Sequence, residues 1–362
     1  MKILVKGAYG ETNFGDDLLM LVFEKYFNNE FKEDETVFSG QKSTYPSGLL
    51  VQSRYNEKIK PDVIVYGGGT QFFSFVEKKE RSTVLSKLSR IIKDPSILYK
   101  YFRNKFVPKK EYSSEIISAF LGFGLGPFNN EEAKLIAKES MRNSLFVGVR
   151  DQVSFNYCSE WNIECVLGAD VVFSSYFSLP PLEKTTNIKR KIGVIVRDWK
   201  WEKSGASYIE KLKQFIGESG DEIEYQFIVF APHVDKKWML YLSDTDTLVW
   251  NPEIDDVTNF LNKLNTFDAF ISARYHGAII AAILGKPVIC VEIEPKLSIL
   301  CEQVPELKLW KKPFDITSLK SLISTIDYDV DYSGSLTERG EKADSMLKLF
   351  KEQALAIIYK SL

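Results

Sequence analysis

Arg274 and His276 stand one residue apart in the stretch Phe270 to Lys296, which reads FISARYHGAIIAAILGKPVICVEIEPK. A guanidinium is a flat fork of N–H donors matched to carboxylate or phosphate, and an imidazole gives or takes a proton near neutral pH. Residues two apart in an extended stretch share a face, so the pair suits an acidic, phosphorylated substrate that needs a proton moved. The bland alternative is a structural arginine beside a hydrogen-bonded histidine. The chain has two histidines, and the other, His233 in the turn AlaProHisVal, has no arginine nearby.

The residues around the pair say how it is held. The apolar run ending at Ala273 reads as a strand, the small-residue segment Gly277 to Gly285 as a helix, and Val288 to Val291 as a second, buried strand. Gly285 suits the left-handed residue that closes a helix, and Pro287 cannot prolong one. The unit is βαβ-like, with its polar residues at the carboxyl end of a strand. Ligands sit at that edge in open α/β sheets, because helix amino termini and loops converge there.

Other cations end strands in the same way. Arg197 closes IGVIVR, Arg150 closes FVGVR, and Lys296 follows Glu292 and Glu294. Each adds charge to a cleft, or is balanced by Asp198, by Asp151 or by the two glutamates. Trp199 and Trp201 offer faces for a sugar ring, or pack a strand edge.

The first half supplies loops rather than cations. KILVK predicts a strand, followed by the loop GAYGETNFGDD and an amphipathic run from Leu18. Neither a GxGxxG turn nor a P-loop is present. Asp16 and Asp17, at the start of that helix, can accept hydrogen bonds from sugar hydroxyls or simply cap it. The strand Asp62 to Tyr66 runs into Gly67, Gly68 and Gly69, which permit close backbone approach to a ligand or a tight turn. Further strands are expected at Ile116 to Phe123 and Leu145 to Val149.

Composition bounds the class. A length of 362 residues fits two domains of roughly 150 to 200 residues;. A net charge of -2 gives no whole-chain argument for nucleic acid;. Four cysteines without a CxxC predict a reduced, cytoplasmic chain with no metal cluster;. No signal peptide is expected, and no apolar run reaches the length of a membrane span. Lys78 to Lys110 holds 11 basic residues against Glu80 and Asp94, interleaved with apolar ones. Such an insertion lies on an anionic membrane surface, or forms a solvated helical pair packed on the domain.

Residues 176–190 read as a linker, and a second αβ series follows from Ile192. The expected architecture is α/β, with two Rossmann-like domains facing a cleft. Residues 1–178 form the first, 190–340 the second, and 341–362 a last helix that returns to the first domain.

In this order GAYGETNFGDD, VIVYGGGT, FGLGPF, VGVRDQVSF, GADVVF and SARYHGAIIAAILGKPVICVEIEPK resemble the polysaccharide pyruvyl transferase family. The resemblance runs from Gly7 to about Lys296. It implies a GT-B-like fold and transfer of a pyruvyl group from phosphoenolpyruvate to two hydroxyls of a sugar, forming a cyclic ketal. It implies further that Arg274 binds the donor, that His276 is catalytic, and that Arg150 or Arg197 is a second donor-binding arginine; Lys296, read from its position alone, is a further candidate for the donor phosphate. Asn13, Asp16, Asp17, Gly68 and Gly69 would face the acceptor sugar. No cofactor or metal is required, since phosphoenolpyruvate is a co-substrate. A lipid-linked acceptor for capsule or exopolysaccharide would give the basic insertion a purpose at the inner face of a membrane. The competing readings are a GT-B glycosyltransferase with a nucleotide-sugar donor, whose ribose Glu292 or Glu294 would hold, and a glycan-binding protein without catalysis.

Overall fold

The computed structural model describes residues 1–40, 43–44, 50–53, 61–74, 116–182, 188–202 and 204–358. The basic insertion 78–110 lies outside them. From the amino end run β1 (Lys2–Lys6), α1 (Phe14–Glu30), β2 (Glu35–Gly40), β3 (Ser43–Thr44), β4 (Leu50–Ser53), β5 (Val63–Gly67), β6 (Thr70–Ser74) and β7 (Ile117–Phe128). Then come α2 (Glu131–Met141), β8 (Phe146–Val149), α3 (Gln152–Glu160) and β9 (Val166–Leu167). In the described residues these strands form one sheet in the order β3-β4-β2-β1-β5-β7-β8-β9, with β6 paired to β7.

The second series is β10 (Arg190–Val196), α4 (Ser204–Gly217), β11 (Ile223–Val229), α5 (Lys236–Tyr241), β12 (Thr247–Val249), α6 (Val257–Asn265), β13 (Ala269–Ser272) and α7 (Tyr275–Ile283). It continues with β14 (Val288–Val291), α8 (Pro295–Gln303), β15 (Lys308–Trp310), α9 (Ile316–Ser324) and α10 (Ser333–Ile358). Its sheet has the order β12-β11-β10-β13-β14-β15, and every pairing in it is parallel. A parallel sheet covered on both faces needs continuous apolar strands, which is why VICV and AFIS are buried throughout;. The chain reverses direction across the sheet between β10 and β13, and in the first sheet between β1 and β5. A crevice opens at such a switch point, beyond the carboxyl ends of the strands.

Several limits differ from those the sequence predicts. Asn13 caps α1, its side chain accepting from the Gly15 N–H, so the helix starts at Phe14 rather than Leu18. Strand β7 runs through FGLGPF to Phe128, because β6 pairs alongside it from Thr70 to Ser74. Helix α8 and strand β2 were not expected from the sequence at all.

The two domains are joined through the start of α1. The Phe14 N–H donates to the Phe230 carbonyl at 3.0 Å. Its ring sits among Phe230, Trp250 and Phe260, with centroids 4.8, 5.1 and 4.8 Å away. Helix α10 lies against the first domain: the Tyr26 hydroxyl donates to the Leu347 carbonyl at 2.8 Å, and Lys351 pairs with Glu30. Phe14→Ala should therefore lower stability by about 3 kcal/mol or more, since it empties a fully buried aromatic site. Denaturant unfolding checks this, and Phe14→Leu should recover part of the loss. Among the described residues no helix is long and apolar enough to cross a membrane.

Candidate active site

The carboxyl ends of both sheets face one cavity of about 290 Å³. From the second domain it is lined by Arg197 at the end of β10, by Arg274, Tyr275 and His276 at the start of α7, and by Glu294 and Lys296 at the start of α8. From the first come Asn13, Gly15 and Asp16, then Gly69 and Thr70, and Arg150 and Asp151 after β8. Leu125, Pro127 and Tyr157 add an apolar wall. Four strand-end cations and the imidazole thus reach one space.

The turn before α7 is built locally. The Ser272 hydroxyl accepts from the Arg274 N–H at 3.2 Å and donates to the Arg274 carbonyl at 2.8 Å. This leaves Arg274 extended as the N-cap, with Tyr275 and His276 already helical. The two side chains therefore do not share a strand face, and they reach the same cavity because one precedes the helix and the other lies in its first turn. Arg274 Nη2 donates to Oδ2 of the buried Asp235, whose other oxygen accepts from the Asp198 N–H at 2.9 Å. Lys296 is placed by a helix whose one sequence signal was Pro295, a residue favoured at the first helical position;.

His276 is wedged between the domains. Its Nε2 lies 3.5 Å from Asp170 Oδ2 and makes no hydrogen bond in the described structure. Its Nδ1 faces Gly15, where a Cβ would stand 2.4 Å away, so only glycine leaves the ring in place. Asp170 also accepts from Arg150 Nη1 at 3.0 Å. Burial pushes the Asp170 carboxyl up, but the charges of His276 and Arg150 outweigh it and hold the group at about 2. Asp170 is therefore ionised at neutral pH and can balance positive charge that develops on the imidazole.

The arginines have nearer partners than the sequence predicts, whereas Lys296 has one of the two it does predict. Arg150, 2% exposed, binds Asp170 and donates to the Thr70 hydroxyl at 2.9 Å. Its guanidinium lies 4.2 Å from the Tyr275 ring centroid, across the domain seam. Asp151 is farther off, at 3.7 Å. Arg197 pairs with Glu294, not with Asp198, which instead accepts from the Lys237 N–H. Lys296 lies 3.0 Å from Glu294. Glu292 is taken up by Ser298 and the Lys312 N–H. A guanidinium has five donors and a carboxylate contact uses one or two, so paired arginines retain donors for an anionic ligand. Burial draws Lys296 down to about 8 against the pull of Glu294, with Arg197 and Arg150 reinforcing the shift.

Not every predicted residue reaches the cavity. Asp17 is 2% exposed and accepts from Trp250 Nε1 at 2.8 Å, so it ties the domains together instead of facing an acceptor. Adjacent helical residues point about 100° apart, which sends Asp16 to the cavity and Asp17 to the seam. Gly68, at φ +63° against Leu19, turns the chain and does not line the space, whereas Gly69 does. His233 is exposed and Trp199 buried, both outside the lining, while Trp201 belongs to it. Asp170 and Asp235 were missed as partners. No grouping of His, Cys, Asp and Glu among the described residues is arranged to hold a metal ion.

Residues 13–295 match the family model described as polysaccharide pyruvyl transferase. No curated protein sequence matches the chain. Among solved structures, UDP-GlcNAc 2-epimerase from Methanocaldococcus jannaschii, in complex with UDP-GlcNAc and UDP, is similar over 97% of this chain and 100% of that one, with 12% identity and a TM-score of 0.56. The S. aureus MnaA–UDP co-structure covers 98% and 96% with 13% identity and a TM-score of 0.56. The UDP-GlcNAc 2-epimerase of Neisseria meningitidis covers 98% and 100%, with 13% identity and a TM-score of 0.52. At such identities the likeness is one of fold, two Rossmann-like domains in the GT-B arrangement.

Proposed function

Because the chain belongs to the polysaccharide pyruvyl transferase family, we propose that it moves a pyruvyl group from phosphoenolpyruvate to two hydroxyls of a sugar in a lipid-linked polysaccharide precursor. The product is a cyclic ketal. The observation that carries this reading is the convergence of Arg150, Arg197, Arg274, Lys296 and His276 on one cavity between the domains. Phosphoenolpyruvate bears a carboxylate and a phosphate, and needs several charge-assisted donors to hold both.

Each group has a role in this scheme. Arg274, Arg197, Arg150 and Lys296 hold the donor and neutralise the phosphate as it departs. His276 gives a proton to the methylene carbon, which becomes the methyl group and leaves C2 open to attack. Asp170, 3.5 Å from the imidazole, balances its charge. One hydroxyl oxygen bonds to C2, phosphate leaves with the electrons of its C–O bond, and the second hydroxyl closes the ring. The acceptor lies against Asn13, Asp16 and Gly69, with the Tyr157 and Trp201 rings available to its apolar face.

Phosphate release from phosphoenolpyruvate in the presence of sugar acceptors tests the reading. Release of nucleotide from a UDP-sugar, with none of phosphate, would replace it with glycosyl transfer.

The lysine adds a pH signature. Lys296 titrates at about 8, so its charge is present below that value and is lost as pH rises through it. A phosphate is already dianionic there, its second ionisation lying near 6. Donor affinity should therefore weaken above pH 8, with a slope approaching tenfold per pH unit. Lys296→Arg should flatten the profile, as titration calorimetry between pH 7 and 9.5 would show.

A further inference from the structure

Asp16 differs from the other carboxylates in and behind the cavity wall. Asp151, Asp170, Asp235 and Glu294 each sit in an ion pair with an arginine or lysine. Asp16 belongs to none of the ion pairs among the described residues. Its Oδ2 accepts from the Asn13 side-chain amide. Its Oδ1 lies on the side of Gly69, where even a Cβ would stand no nearer than 3.9 Å. The carboxylate is held by one neutral donor, with a free oxygen next to a stretch of wall that has no side chain. It is carried on the third residue of α1, from the first domain, and the cations opposite come from the second.

From this arrangement we propose that Asp16 is the base that takes the proton of the attacking acceptor hydroxyl. The inference rests on the pyruvyl-transfer reading above. The hydroxyl O–H bond breaks toward Asp16 Oδ1, and its electron pair stays on oxygen as that oxygen bonds to C2 of the donor. The captured proton then leaves with the departing phosphate, which returns Asp16 to its carboxylate form. Asp16 takes the proton of the second hydroxyl as the ring closes and passes it to His276, replacing the one that the imidazole gave to the methylene carbon. Of the two hydroxyl protons, one thus ends in the methyl group and one on phosphate, and the enzyme is unchanged.

The surroundings of Asp16 fit a base that works above the ordinary carboxylate range. Burial pushes the group up, while His276, the Asn13 hydrogen bond, Lys296 and Arg274 pull it back without cancelling the shift. Tyr9 from the loop after β1 and Arg197 from the end of β10 are the other titratable groups that sense its charge. Each of the other acids has an arginine within ion-pair distance, whereas Asp16 has none among the described residues.

The test compares wild type, Asp16→Asn and Asp16→Glu in a phosphate-release assay with phosphoenolpyruvate and an acceptor that the wild type uses. Asp16→Asn should lose about a hundredfold in kcat, should bind phosphoenolpyruvate by calorimetry within about twofold of wild type, and should lose the acid limb of the pH profile of kcat. Asp16→Glu should restore part of the rate together with that limb. The calorimetric value shows that the variant site is folded. An Asp16→Asn protein with wild-type kcat, or with its acid limb intact, overturns the role of Asp16 and leaves pyruvyl transfer standing. A wild type that releases no phosphate with any acceptor overturns the transfer reading, and the role of Asp16 with it.

Discussion

Replacing His276 with alanine should lower kcat by about 10²- to 10⁴-fold while phosphoenolpyruvate still binds. The size follows from position. The imidazole lies between the two domains, with an ionised Asp170 on one side and the start of α1 on the other. In the proposed mechanism, removing it takes away the proton donor to the methylene carbon and the group that Asp170 balances. The arginines and Lys296 remain, so donor affinity should change little. A structural histidine predicts the opposite pattern, with a lower thermal midpoint and turnover near wild type. His276→Gln keeps much of the volume without the proton chemistry, and should match alanine in rate. Steady-state kinetics with a melting curve for each variant separates the two cases.

Arg274→Ala should weaken donor use by about 2–5 kcal/mol in kcat/KM, which is roughly 30- to several-thousand-fold. Part of that loss comes from Asp235, which is fully buried and would be left without its cation. The thermal midpoint should fall as well, because an uncompensated buried carboxylate is costly. Arg274→Lys separates the two contributions. It keeps a charge for Asp235 but loses the fork, so the midpoint should stay near wild type while KM for phosphoenolpyruvate rises. If Arg274→Lys leaves KM unchanged, the arginine is structural and the donor lies elsewhere. The same comparison for Arg150→Lys and Arg197→Lys ranks the remaining arginines.

The unit that carries both residues was legible because its pattern is strong. A short apolar strand, a small-residue helix closed by Gly285 and a second apolar strand leave one place for polar side chains, and the structure has β13, α7 and β14 there. What the sequence could not give was the nearest partner of each arginine. Arg274 meets Asp235 from 39 residues away and Arg197 meets Glu294 from 97. The sequence-local candidates Asp198 and Glu292 bond to backbone N–H groups instead. Distant pairing is set by strand order, and strand order is not written in local periodicity. The contrast between Asp16 and Asp17 has the same origin. Both suit a helix start, and which one faces the cavity depended on the register of α1, fixed by the Asn13 cap and by Phe14 inserted into the second domain. Helix α8 was missed although Pro295 marks its first turn, because the acidic run before it reads as loop. Short β2 carries charge at its edge and gave no alternation to read.

In the proposed function the cations and His276 hold phosphoenolpyruvate and hand its pyruvyl group to a sugar diol. Mass spectrometry of candidate lipid-linked oligosaccharides, after incubation with the protein and phosphoenolpyruvate, tests it most directly. The expected product is an acceptor heavier by pyruvic acid less water, with an equivalent of phosphate released, and no such product from His276→Ala. An acceptor that gains a hexose-type residue from a nucleotide sugar, or that gains a pyruvyl unit equally well with His276→Ala, would contradict it.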